Sequence, residues 1–132
     1  ATGACPPVLQ MAQGGYDTHA NQLVRHERAL GELAHALAAF ERGLQRIPQR
    51  PRVTLIATSE FGRRLRENSS RGTDHGSASI ALLAGDQVPY PFVGVYPSLS
   101  QLDDRGDLIA GLSPDQLYRQ VLGIVLNGSG VA

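Results

Sequence analysis

The sequence predicts an α/β fold, because one long helical pattern lies between two strand-like runs. The apolar run PVLQMAQ (7–13) is closed by two glycines and predicts a first strand. From Asn21 to Ile47 the apolar residues recur at a three-four spacing, which predicts an amphipathic helix of roughly seven turns that ends before a proline. The run RVTLIATS (52–59) is continuous and rich in β-branched residues, as in a strand buried on both faces.

A strand, a long helix and a strand in this order predict a βαβ unit, whose strands run parallel through a right-handed crossover. The loop after the first strand (16–20) and the loop after the second (60–64) then meet at the carboxyl edge of the sheet. Open α/β sheets bind their ligands at this edge. The run SASIALLAG (77–85) predicts a third strand that runs back from the same edge.

Two later segments have clear local signals. VPYPFVGVYPSL (88–99) is too rich in proline for a central strand and predicts an extended loop. SPDQ (113–116) has the form of a capping box with proline at the first helical position. It predicts a short amphipathic helix that reaches about Leu126.

Composition excludes several classes of protein. The formal net charge of the 132 residues is zero, so a nucleic-acid interface, which needs a basic excess, is not predicted. No apolar run is long enough for a membrane span, and the single cysteine excludes an internal disulfide bond. The chain opens without methionine and ends without a cap, so we interpret residues 1–132 as a single partial domain of a longer protein.

Three polar clusters fall on the predicted edge: DTH (17–19), SEFGRR (59–64) and TDHG (73–76). Together they offer three carboxylates, two imidazoles and two guanidinium groups. Mixed carboxylate and imidazole ligands suit zinc, manganese and related divalent ions, and paired ions suit ester hydrolysis at phosphorus or sulfur. The arginines can bind an anionic group.

Each cluster also has a purely structural interpretation. Asp17 or Thr18 can satisfy backbone donors at the entry to the helix. Glu60 can lie in the favourable first turn of a short helix. Asp74 and His75 can form a turn with a hydrogen bond between them, and the two arginines can lie on a solvated surface.

The motifs GGYDTHANQ (14–22), SEFGRR (59–64) and NSSRGTDHG (68–76), in this order, resemble the bacterial family called domain of unknown function 1501. The resemblance extends from about Gly14 to Leu126. This family is grouped by fold with alkaline phosphatases, sulfatases and metal-dependent phosphoglycerate mutases. The resemblance therefore implies a three-layer αβα sandwich with a mostly parallel sheet, of which this chain would be the C-terminal part.

The resemblance also implies a site. The implied metal ligands are Asp17, His19, Glu60, Asp74 and His75. Arg63 is the implied contact to a small anionic ester substrate, and the implied cofactors are divalent ions (zinc, manganese, calcium or magnesium). The nucleophile is expected outside this chain, in the missing N-terminal half of the domain, and the protein is expected to be exported.

Two departures from the phosphatase pattern support an alternative. The first ligand pair is spaced D-x-H, tighter than the D-x-x-x-H of the phosphatases, and Glu60-Phe61 replaces Asp-His. These changes are compatible with a non-catalytic binding or scaffold module of the same fold, which would hold a structural ion or none.

Overall fold

Two helices and four short strands make up the regular structure of residues 8–88 and 95–127, which the computed structural model describes. In chain order they are α1 (Gln22–Gln45), β1 (Thr54–Thr58), β2 (Gly62–Arg63), β3 (His75–Gly76), β4 (Ala81–Gly85) and α2 (Pro114–Asn127). The chain divides into two units. The first comprises Ala1–Pro51 and Asn68–Gly72, and the second Arg52–Glu67 and Thr73–Ala132.

The long helix of the first unit confirms the prediction from apolar spacing. Helix α1 has 24 residues and ends shortly before Pro48, whose ring and missing N–H cannot continue a helix. Its apolar stripe is unevenly covered. Ala29 is buried and Leu33 and Leu37 are half-buried, whereas the side chain of Leu23 at the first turn is exposed.

The start of α1 is capped by backbone carbonyl groups from a distant loop. The N–H groups of Asn21 and Gln22 donate to the carbonyl oxygens of Ser70 and Arg71, at 3.0 and 2.8 Å. The N-cap residue is Asn21, in the left-handed region, and its side chain makes no capping hydrogen bond. The predicted cap from the DTH segment (17–19) is therefore not the one that the helix uses.

The second unit contains two nested antiparallel ladders. Strand β4 pairs with β1 from Thr58 opposite Ala81 to Thr54 opposite Gly85. The connection between these two strands carries β2 and β3, which also pair antiparallel. The predicted strand within 77–85 is present as β4, and its antiparallel pairing with β1 is a finding of the structure. The residues of β1 are half-buried or exposed, so the predicted burial on both faces is wrong.

The predicted three-layer αβα sandwich with a mostly parallel sheet is wrong: the described residues form only two-stranded antiparallel sheets. Of the predicted first strand (7–13), residues 8–13 have no regular structure, and Val8 and Met11 are 81% and 85% exposed. Pro7 lies outside the described residues. A strand needs a partner for its backbone groups, and β1 takes the hairpin partner that follows it in the chain.

The predicted capping box at Ser113–Gln116 is present in the second unit. The Gln116 N–H donates to Ser113 Oγ at 3.2 Å, and the Ser113 N–H donates to Gln116 Oε1 at 2.8 Å. Helix α2 then buries Val121 and Ile124. Half of the predicted extended loop at 88–99, residues 89–94, lies outside the described residues, and residues 95–99 contain no helix or strand. Within the described ranges, neither helix has the length and apolar character that a membrane crossing requires.

Candidate functional site

The DTH segment of the first unit forms a tight turn that exposes its two ionisable side chains. The Thr18 N–H donates to the Tyr16 carbonyl at 2.9 Å, which closes a three-residue γ-turn around Asp17. The side chain of Thr18 is fully buried, and its Oγ1 also approaches the Tyr16 carbonyl. The side chains on either side, Asp17 and His19, are 64% and 48% exposed. Thr18 thus anchors the segment, while its neighbours remain accessible.

The residues before this turn are attached to α1. Gln13 Nε2 and Tyr16 Oη both donate to the Ala29 carbonyl at 3.1 Å. The Tyr16 ring also meets His26 edge-on, with 5.8 Å between the ring centroids. Between these contacts, Gly15 has a φ of +96°, a conformation that side-chain-bearing residues rarely adopt. The GGY part of the motif therefore serves to position the DTH turn.

A second attachment acts on the far side of the turn. Asn68 Nδ2 donates to the His19 carbonyl at 3.0 Å, and Asn68 Oδ1 accepts from the N–H groups of Ser70 and Gly72. Gly72 lies directly against the backbone of His19 and Ala20, with no room for a Cβ atom. Sequence reasoning did not single out Asn68. The available signal was an asparagine four residues before a glycine in a polar loop, a pattern typical of side chains that close turns.

The Asp17–His19 pair has donor atoms and spacing that fit a divalent ion. Asp17 Oδ1 and His19 Nε2 lie 2.9 Å apart. Two ligand atoms that each bind one ion at about 2.1 Å in tetrahedral geometry are separated by roughly 3.4 Å, so a bound ion would replace the present ion-pair contact after a movement of about 0.5 Å. The D-x-H spacing, although tighter than in phosphatases, therefore brings a carboxylate and an imidazole close enough to act together.

The second unit brings SEFGRR and TDHG together, as the sequence predicts. Arg63 of β2 stands opposite His75 of β3, and the Arg64 N–H donates to the Asp74 carbonyl at 3.1 Å. The reason differs from the prediction: antiparallel pairing, and not a shared edge of a parallel sheet, makes the two motifs neighbours. Asp74 and His75 are both exposed.

An aromatic stack orients His75 within this ladder. The rings of Phe61 and His75 are stacked at 3.8 Å with 9° between their planes. The guanidinium carbon of Arg63 lies 4.9 Å from the centroid of the Phe61 ring, and Arg63 Nη1 donates to the Thr73 carbonyl. The sequence indicated Phe61 only as a residue that takes the place of a ligand. In the structure Phe61 packs against His75, a predicted ligand, and against Arg63, the predicted anion contact.

Glu60 lies in a bend between β1 and β2 and is exposed. The alternative interpretation, a first turn of a short helix, is wrong because no helix follows β1 here. The preceding Ser59 stabilises the bend: its Oγ donates to the Phe61 carbonyl at 2.9 Å and lies 2.5 Å from Ser79 Oγ. The ligand role of Glu60 stays a prediction.

The neighbouring Arg64 is held by a buried carboxylate that sequence reasoning did not identify. Asp107 is 2% exposed, and its Oδ1 lies 3.3 Å from Arg64 Nε. The Asp107 N–H donates to Asp103 Oδ1 at 2.8 Å. That bond, helped by the Arg105 N–H and by the charges of Arg105 and Arg64, holds the pKa of Asp103 below its usual value. Arg64 therefore has a structural partner and is not a purely solvated residue.

These observations define a chain whose described residues form two helices and antiparallel ladders and carry an exposed carboxylate–imidazole pair. The chain belongs to the family described as Protein of unknown function (DUF1501), which matches residues 3–103. This match confirms the family that the motifs indicated. No curated protein and no solved structure matches the chain significantly.

Proposed function

We propose that this chain contributes metal ligands to a hydrolase of phosphate or sulfate esters, related in its chemistry to alkaline phosphatases and sulfatases. The observation that carries the proposal is the Asp17–His19 pair, with 2.9 Å between Oδ1 and Nε2. Two attachments fix its backbone, through buried Thr18 and through the Asn68 side chain. Exposed groups on a backbone that is already fixed suit a binding site, because binding then costs little conformational entropy.

The proposal keeps the ligand set that the family motifs imply: Asp17, His19, Glu60, Asp74 and His75. A carboxylate and imidazole set of this kind favours zinc or manganese over calcium or magnesium, which prefer oxygen ligands. When bound, the ion would polarise the ester and stabilise the leaving oxygen. Arg63 is the proposed contact for the anionic group of the substrate, since a guanidinium group matches phosphate or sulfate oxygens.

The activity test uses the complete protein loaded with zinc or manganese, with p-nitrophenyl phosphate and p-nitrophenyl sulfate as substrates. We expect His19→Ala and His75→Ala to lower hydrolysis at least tenfold, because each removes a proposed ligand. His35→Ala is the matched control, since His35 is an exposed histidine on α1, outside the motifs. Hydrolysis at the wild-type rate in both ligand variants would refute the proposal.

One observation favours a non-catalytic binding or scaffold module as the second candidate. Phe61 occupies the position where the phosphatase pattern has a histidine, and it stacks on His75 instead of offering a ligand atom. Without this ligand the set that the phosphatase pattern requires is incomplete, which favours a module that does not carry out the phosphatase reaction. Metal retained by the wild-type protein, together with no hydrolysis of either ester, would favour this candidate.

A further inference from the structure

Asn68 uses both ends of its side chain. Its Oδ1 accepts hydrogen bonds from the N–H groups of Ser70 and Gly72, at 2.9 and 3.1 Å, which closes the loop Asn68–Gly72 upon itself. Its Nδ2 donates to the carbonyl of His19 at 3.0 Å, across 49 positions of sequence. One side chain therefore builds the loop and also binds it to the residue that carries the imidazole.

The contact between this loop and the His19 backbone is close. A Cβ atom at Gly72 would lie 2.2 Å from the His19 carbonyl carbon, so only glycine allows this approach. The loop also accepts from the N–H groups of Asn21 and Gln22, which follow the DTH turn. The backbone after His19 is thus held from one side by a single loop.

We propose that Asn68 is a positioning residue for His19. By holding the His19 carbonyl, it limits the rotation of the backbone that carries the imidazole and so keeps Nε2 opposite Asp17. This inference rests on the proposed role of the Asp17–His19 pair in binding a metal. A partner that only orients a ligand typically changes metal affinity 10- to 100-fold, so we expect an effect of about tenfold.

Asn68→Asp separates the two tasks of the side chain. A carboxylate retains the acceptor for Ser70 and Gly72, but it places an oxygen, and no donor, against the His19 carbonyl. Ser69→Asp is the matched control because Ser69 is exposed and the substitution adds the same charge one residue away. Calorimetric titration with Zn²⁺ should show about tenfold weaker binding for Asn68→Asp than for Ser69→Asp. The Asn21 and Gln22 amides should remain equally protected from exchange in both.

The outcomes distinguish this inference from the proposed function. If His19→Ala abolishes zinc binding and Asn68→Asp binds as tightly as Ser69→Asp, the positioning role is wrong and the metal site stands. If His19→Ala binds zinc like the wild type, the metal site is wrong. In that case the NMR resonances of the His19 imidazole, recorded without metal, test whether Asn68 positions His19. A shift in Asn68→Asp but not in Ser69→Asp supports the positioning role, and identical spectra of the two variants overturn it.

The wild-type protein provides a test that does not depend on the folding of any variant. One Asn68 side-chain amide proton should exchange slowly with solvent and show a nuclear Overhauser contact to the His19–Ala20 backbone. Rapid exchange of both amide protons, with no such contact, would overturn the inference.

Discussion

Gly72→Ala should destabilise the first unit by about 3 kcal/mol. The added Cβ would lie 2.2 and 2.3 Å from the carbonyl carbon and oxygen of His19, and 2.6 Å from the Ala20 nitrogen. All three are backbone atoms, so none can move away as a flexible side chain would. Overpacking of this kind costs roughly 1–3 kcal/mol, and here the upper end applies because the overlap exceeds about 1 Å.

Detachment of the loop Asn68–Gly72 from the His19 backbone would cost a similar free energy. Three hydrogen bonds join it to the segment that follows Thr18: Asn68 Nδ2 to the His19 carbonyl, and the Asn21 and Gln22 N–H groups to loop carbonyls. At about 1 kcal/mol each, their loss also amounts to about 3 kcal/mol. The two routes agree, so the estimate does not depend on whether the variant retains the loop under strain or releases it.

Urea unfolding measures the change in free energy, and hydrogen exchange at the Asn21 and Gln22 amides shows whether the loop has detached. Gly31→Ala is the matched control: it is the same substitution inside α1, where a Cβ atom meets nothing within 4 Å. We expect this control to gain up to about 1 kcal/mol from helix propensity. Equal unfolding free energies for the two variants, or a neutral Gly72→Ala, would refute the reasoning about the close approach.

Three further predictions concern the second unit. Phe61→Leu should shift the metal-free His75 imidazole resonances and cost about 1 kcal/mol, whereas Phe61→Tyr retains the stack; unchanged spectra in both would contradict the stacking. Arg64→Ala leaves the buried Asp107 carboxylate without its ion pair and should lower the unfolding free energy by about 1–3 kcal/mol, with Arg64→Lys less affected; a neutral Arg64→Ala would show that the pair is unimportant. The depressed pKa of Asp103 contributes stability above the unfolded value of about 3.9 that is lost as pH falls through the folded pKa. Urea titrations between about pH 5 and pH 2 should therefore show that the unfolding free energy falls less steeply with pH in Asp103→Asn than in the wild type. Equal pH dependence in the two proteins would contradict a contribution from Asp103.

The helices were predictable because their signals are local. Apolar spacing followed by Pro48 predicts α1, and the reciprocal Ser113–Gln116 bonds follow from the S-x-x-Q pattern. Both depend on residues within a few turns of one another. The exception is the N-terminal cap of α1, which a distant loop supplies and which the sequence pattern does not predict.

Strand pairing was not predictable from the same patterns. A continuous β-branched run such as β1 is compatible with a parallel or an antiparallel partner, and the choice depends on which segment docks beside it. The run at 7–13 predicts a strand only through its apolar content and the two glycines that close it. It has few β-branched residues, and its described part, 8–13, forms no ladder.

The candidate site was predictable where motif and geometry coincide. The DTH motif predicts that Asp17 and His19 lie close together, and the structure places them in contact. The SEFGRR and TDHG motifs are also neighbours as predicted, but through an antiparallel pairing that the sequence did not suggest. Asn68 and Phe61 were missed. Their roles depend on partners 49 and 14 positions away, and no local spacing predicts such contacts.

X-ray absorption spectroscopy of the zinc-loaded complete protein tests the central claim most directly, because it counts the imidazole ligands of the ion. The account predicts Zn–N scattering at about 2.0–2.1 Å in the wild type, with the loss of one imidazole in His19→Ala and no change in His35→Ala. A His19→Ala spectrum identical to that of the wild type would contradict the account.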